Sequence, residues 1–214
     1  MSSTNAGGSA AQWHFYDPTQ TSKHQVRDTE SGEGVDVDVH SGPETDWWST
    51  AEGSTPESDA HRSSGPVAYR SVSVDSAKSW KLSGWVAQPG QERFQQTTLF
   101  VKLGERWLKS GVENEGGLQY VGAVSTNPYS DWCLTPKPDQ HDRVWIEIHK
   151  DGADLFIHYS YDGKQRLLLR EVKGFCAGQQ DQQGQQEWWL GVMVCGPKSA
   201  ATLGTVSQLT IAVD

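Results

Sequence analysis

Basic clusters, long apolar runs and paired cysteines are all missing from this chain, and each absence removes a class of function. Eighteen Lys and Arg stand against 27 Asp and Glu, a net charge of −9, and no basic run interrupts that balance. Nucleic acids and anionic membrane surfaces are bound through basic patches, so neither is expected as a partner. No stretch approaches the ~20 consecutive apolar residues that a membrane-spanning helix requires. The opening MSSTNAGGSAAQW lacks a basic n-region and an apolar h-region, so no secretory signal is expected. Cys133, Cys176 and Cys195 are odd in number and form no CxxC pair, and Asn5, Asn114 and Asn127 provide no N-x-Ser/Thr acceptor. Both features fit a cytoplasmic protein with three reduced thiols. Catalytic signatures are equally scarce. There is no GxGxxG, phosphate loop or HExxH, and no cofactor is expected. The paired-carboxylate ExDxxE strand of glucanases is also missing, which argues against hydrolysis by two close carboxylates.

What is present is tryptophan and strand periodicity. Ten Trp in 214 residues suit either a sandwich core or a stacking platform, since indole combines large apolar area with an N–H that needs a partner. No long segment repeats apolar residues at helical spacing, whereas about a dozen short alternating segments are separated by turn residues, the pattern of a β-sandwich or barrel. Val35, Val37 and Val39 alternate with Asp36, Asp38 and His40. Three potential ligands share one face there, but a straight strand spaces them ~6.6 Å apart, too splayed for one ion, and no metal site is expected. Asp151-Gly152 predicts a tight hairpin pairing Ile148 with Leu155 and Ile146 with Ile157. Residues 1–11 are small and polar and are expected to be disordered, ahead of one domain over 12–214. Two polar stretches, about 52–66 and 178–186, are expected as surface loops inserted in it.

The segment from Trp107 to Trp132 carries the candidate site. Trp107, Lys109, Gly111 and Glu113 alternate with Leu108, Ser110 and Val112, so one sheet face presents a ring, a cation, a bare backbone and a carboxylate. Gly111 is read as opening space for a ligand. The stretch Thr126–Trp132 is read as a loop mixing amide, phenol, carboxylate and indole, a combination suited to stacking on a sugar face. In the pair Trp47-Trp48 one ring is expected in the core, because adjacent strand residues face opposite ways. Cys195 is read as structural, since no base can be placed beside it.

Seven segments in order, DWW (46–48), LFVK (99–102), WLKSGVE (107–113), STNPYSDW (125–132), WIEIHKDG (145–152), YSYDGK (159–164) and LGVMVCGPK (190–198), resemble the concanavalin-A-like domain family that includes the fungal regulator-of-enolase protein. The resemblance covers roughly residues 13–213. It implies an all-β, two-sheet jelly-roll sandwich with one concave sheet, and links to metabolic regulation. The leading expectation is therefore a protein that binds a small polar or aromatic-bearing ligand, or a metabolic enzyme as partner. Its site would comprise Trp47, Gln96, Trp107, Lys109, Glu113, Tyr129, Asp131 and Trp132. The alternative is a cofactor-independent isomerase, cyclase or lyase in which Glu113 or Asp131 handles a proton and Lys109 stabilises an oxyanion.

Overall fold

A computed structural model describes residues 12–55 and 60–214; the N-terminal segment expected to be disordered, residues 1–11, lies outside the described residues. Among the described residues sixteen strands follow in chain order: β1 His14–Tyr16, β2 Lys23–Asp28, β3 Val35–Ser41, β4 Trp47–Ser49, β5 His61–Ser63, β6 Val67–Asp75, β7 Trp80–Ala87 and β8 Gln96–Leu103. The second half contributes β9 Arg106–Glu115, β10 Leu118–Thr126, β11 Ser130–Pro136, β12 Val144–Asp151, β13 Asp154–Ser160, β14 Leu167–Val172, β15 Gln185–Cys195 and β16 Thr202–Val213. They form two antiparallel seven-stranded sheets, β1-β6-β15-β8-β9-β10-β11 and β14-β13-β12-β7-β16-β3-β2, packed face to face as a sandwich. β4 and β5 pair separately as a short ribbon.

Period-two alternation sends one apolar set per strand between the sheets. Val35, Val37 and Val39 enter the core from β3, in one buried cluster with Leu82 and Val86 of β7 and Leu108 and Val112 of β9. Asp36 and Asp38 face outward. Asp38 pairs with Arg27 and accepts from the Thr205 hydroxyl, while Asp36 accepts from the Gln208 N–H.

The first sheet departs from a one-sided pattern at its centre. Nearly every residue of β8 and β9 is buried, the side chains of both faces included. The outer face is covered because Trp47, Phe100, Trp107, Val124, Met193 and Cys195 gather there in a second, largely aromatic cluster. Such two-sided burial requires something to lie over the sheet, and the β4–β5 ribbon supplies it.

Three expectations need correction. The stretch 52–66 is not wholly loop, because β5 forms within it and pairs Trp47 with Ser63 and Trp48 with Arg62; residues 56–59 lie outside the described residues. The β12–β13 hairpin pairs Ile148 with Ile157 and Lys150 with Leu155, two residues from the expected register. Its turn is Gly152-Ala153, with Gly152 at φ +56°, a conformation that favours glycine. An even slip keeps Ile146, Ile148, Leu155 and Ile157 on the core face, so periodicity could not detect it. Finally, Thr126–Trp132 is not one loop. The chain turns at Asn127–Tyr129, Thr126 and Ser130 share a hydroxyl hydrogen bond of 2.8 Å, and β11 has begun by Ser130.

Gly111 also has a different role from the one read in the sequence. A Cβ there would lie 2.1 Å from the Thr97 carbonyl oxygen and 2.7 Å from Thr98 Cα, so the space belongs to the backbone of β8 and not to a ligand. At Gly122 the nearest obstacle is the movable end of Leu134. Gly111→Ala is therefore expected to cost about 3 kcal/mol and Gly122→Ala about 1 kcal/mol. Urea unfolding of both variants checks this, and equal costs would show that β8 yields freely.

Candidate functional site

Alternation on β9 places Trp107, Lys109 and Glu113 on the outer face of the first sheet. Gln96 of β8, Val124 of β10 and Trp132 of β11 extend that surface on either side. Above it, the two faces of the β4–β5 ribbon meet different spaces. Trp48 and Arg62, cross-strand partners, look onto a cavity of about 500 Å³ floored by Gln96, Lys109, Glu113, Val124 and Trp132. Asp46 reaches the floor at Lys109, and Arg93, Phe94 and Lys198 complete its walls. The opposite ribbon face, with Trp47, Ser49, His61 and Ser63, borders a second cavity of about 470 Å³ beside Trp107, Asn127 and Pro128, and Arg62 lines both cavities.

A buried ion pair joins ribbon to floor. Lys109 Nζ donates to Asp46 Oδ1 at 3.1 Å, and the Lys109 side chain is 2% exposed. The same carboxylate oxygen accepts from the Trp47 N–H at 2.8 Å and from the Cys195 thiol at 3.6 Å. Burial alone would lower the Lys109 pKa; the Asp46 and Glu113 charges outweigh it, and the ammonium is held above its ordinary value. Burial pushes the Cys195 thiol well up, so it is a neutral donor to Asp46 and not a nucleophile.

Glu113 is differently placed. Its Oε2 accepts from Trp132 Nε1–H at 3.1 Å, and Lys109 is already committed to Asp46. Burial raises its pKa to about 7, Asp46 adding to the rise, while Lys109 and the indole N–H pull down without cancelling it. The cavity thus holds one carboxyl that exchanges a proton near neutrality, next to a fixed cation.

The sequence-derived residues divide. Gln96, Lys109, Glu113 and Trp132 come together in one cavity. Trp107 lies in the aromatic cluster, edge-on to Trp47 at 5.6 Å between ring centroids, and borders the second cavity. Trp47 is the core member of its pair, its Nε1–H donating to the Gly65 carbonyl at 2.8 Å, and it is Trp48 that faces the first cavity. Asp131 and Tyr129 stand outside. Asp131, on the opposite face of β11 from Trp132, binds Arg170 of β14, and Tyr129 is half exposed on the turn. Sequence reasoning missed Asp46, Trp48, Arg62, Phe94 and Lys198. Only Asp46-Trp47-Trp48 carried a signal, an acid ahead of two adjacent indoles.

Fold and site together define a two-sheet β-sandwich with a polar, aromatic-walled cavity on the outer face of one sheet. The chain belongs to the DUF1349 family, described as a protein of unknown function, whose pattern matches residues 24–213. An uncharacterised protein of Emericella nidulans is 26% identical over 167 residues, covering 76% of this chain and 78% of that one. The crystal structure of a functionally unknown protein from Saccharomyces cerevisiae superposes with a TM-score of 0.74 at 21% identity, covering 97% of this chain and 99% of that one. The GH43 protein BlXynB of Bacillus licheniformis gives a TM-score of 0.64 at 11% identity; the match spans 97% of this chain but 38% of the enzyme. These structural likenesses establish the sandwich fold.

Two outcomes follow from the charges. Lys109→Met strands a buried Asp46 carboxylate and is expected to cost about 3 kcal/mol, part of which Asp46→Asn recovers in the double variant. Denaturant titrations of the cycle check this, and simple additivity would contradict the pairing. For Glu113, whose folded pKa lies above its ordinary 4.5, the fold binds the extra proton between pH 4.5 and 7. Its contribution therefore declines as pH rises through that window, by on the order of 3 kcal/mol. Glu113→Gln should abolish that part of the decline, so the stability gap between variant and parent should change between pH 5 and 8. A constant gap would be incompatible with a carboxyl titrating near 7.

Proposed function

We propose that this sandwich binds a small polyhydroxylated ligand, a sugar ring, in the cavity above β8–β11. The observation that carries the reading is the combination of aromatic walls with a polar floor. The Trp132 ring stands edge-on to Trp48 at 6.5 Å and to Phe94 at 6.2 Å between centroids, while Gln96, Asp46 and Glu113 present amide and carboxyl groups beneath. Apolar ring faces pack against the C–H face of a sugar and carboxyls accept from its hydroxyls. The volume falls within the ~300–1,000 Å³ of small-molecule sites. A cytoplasmic location fits the three free thiols, Cys133, Cys176 and Cys195.

A second reading is supported by Glu113 alone. A carboxyl of pKa about 7 beside a cation suits proton transfer in a cofactor-independent isomerase, cyclase or lyase. Asp131 drops out of that scheme because it turns away to Arg170. Docking to a metabolic enzyme, implied by the resemblance to the fungal enolase regulator, would instead use the rim and survive changes inside the cavity.

Calorimetric titration with a panel of pentoses and hexoses tests the binding proposal. Trp48→Ala is expected to weaken binding at least tenfold, whereas Tyr129→Ala leaves it unchanged. Affinity that survives Trp48→Ala would move the ligand out of this cavity. Turnover of a bound sugar that Glu113→Gln removes without loss of binding would establish the enzymatic reading.

A further inference from the structure

We infer that the ligand is an anionic sugar, a ring carrying a carboxylate or phosphate, oriented with its charge at the cavity mouth and its neutral hydroxyls on the floor. This rests on the reading of the cavity as a sugar site. The chain as a whole carries −9, yet four of its 18 Lys and Arg line this one cavity, against the two carboxyls Asp46 and Glu113. A cleft of sign opposite to the rest of the protein concentrates counter-charged ligands.

The cations are not equivalent. Lys109 is consumed by Asp46 at the floor, and Arg93 pairs with Glu115 at 2.9 Å. Arg62 and Lys198 are exposed, and among the described residues neither has a carboxylate within ion-pair range. They arrive from two segments of the wall, Arg62 from β5 and Lys198 from the turn after β15. Lys198 Nζ lies 5.3 Å from the centroid of the Phe94 ring, and Arg93 stands over the same ring at 4.4 Å. Cationic charge therefore collects around one aromatic wall at the mouth. A guanidinium and an ammonium with open donors suit a carboxylate or phosphate.

The floor decides the orientation. An anion placed there would meet the Asp46 and Glu113 carboxyls, while the floor cation Lys109 is already neutralised. Like charges brought together in a desolvated site repel strongly. Ring hydroxyls, in contrast, can donate to Glu113 and exchange hydrogen bonds with the Gln96 amide. The acid group must point outward, toward Arg62 and Lys198.

The test uses the full chain and calorimetric titration at low ionic strength. Gluco, galacto and manno series are each compared as neutral sugar, uronate and 6-phosphate, with inorganic phosphate as a further probe. In the series that binds, an anionic member is expected to bind at least tenfold tighter than its neutral parent, and 0.5 M salt should remove most of that margin. Whether uronate or phosphate gains the margin identifies the acid group. Arg62→Gln combined with Lys198→Gln should erase the preference, and Arg27→Gln on the opposite sheet should not alter it. A neutral sugar that binds as tightly as its acids would overturn the charge inference and leave the sugar site standing. Inorganic phosphate matching the sugar phosphates, or no binding in any series, would overturn both.

Discussion

The arrangement of this molecule's outer face depends on one ion pair, Lys109 with Asp46, formed between groups 63 residues apart in sequence. Neither group is tolerable alone in the place it occupies. Lys109 is buried on the sheet, and Asp46 lies buried at the base of the ribbon. A buried charge without its partner costs several kcal/mol, so ribbon and sheet dock together or not at all. The Asp46 main chain reinforces the joint, its carbonyl accepting from Ser64 N at 2.8 Å and Gly65 N at 3.1 Å. With the ribbon fixed, alternation does the rest. Trp47 must enter the aromatic cluster, 4.8 Å from Phe100, and Trp48 must then face the other way, where it walls the cavity.

The same pair explains why Glu113 behaves as it does. Lys109 and Glu113 are four residues apart on one strand, roughly 13 Å along the backbone, so the strand itself keeps them from closing on each other. Asp46 descends from above and takes the cation at 3.1 Å. Glu113 is left buried with one indole N–H, and its proton is correspondingly harder to remove. One carboxyl is thereby held in an ion pair and the other left to titrate near neutrality, a division produced by geometry among residues that a composition count would treat alike.

Much of the sandwich was legible because period two is a local property. The core faces of β3, β9, β12 and β13 could be assigned from alternation alone, and so could the shared face of Trp107, Lys109 and Glu113. Register was less accessible. Gly152 permits a turn at 151–152 or 152–153, and both leave the same residues in the core. The short strand β11 was read as loop because Pro128 and its polar neighbours signal a turn, and nothing local shows that pairing resumes at Ser130. That misreading is why Asp131 was grouped with Trp132, although the strand sends them to opposite faces. Arg62 and Lys198 were invisible for a deeper reason. Their roles come from segments brought over the sheet by tertiary docking, and a single sequence contains no term for such encounters.

Sharing a sandwich with a GH43 protein therefore says little about chemistry, since function resides in the site and not in the fold. What distinguishes this chain is a ribbon clamped on edge over one sheet, dividing the face into two compartments. The clamp uses up Lys109, the buried cation of this cavity, so the floor presents acceptors while the remaining positive charge is displaced to the rim. Any ligand must satisfy both layers at once: apolar against Trp48 and Trp132, hydrogen-bonding toward Gln96 and Glu113, and negative, if charged at all, at its outer end. A flat hydrophobic molecule would strip water from Glu113 and the Gln96 amide and return no hydrogen bond, at about 1–3 kcal/mol for each group left unsatisfied. A free small anion would leave the aromatic walls unused. Under the proposed reading of the cavity as a sugar site, the layered order of charge, from acceptors beneath to cations above, favours an amphiphilic ring over either.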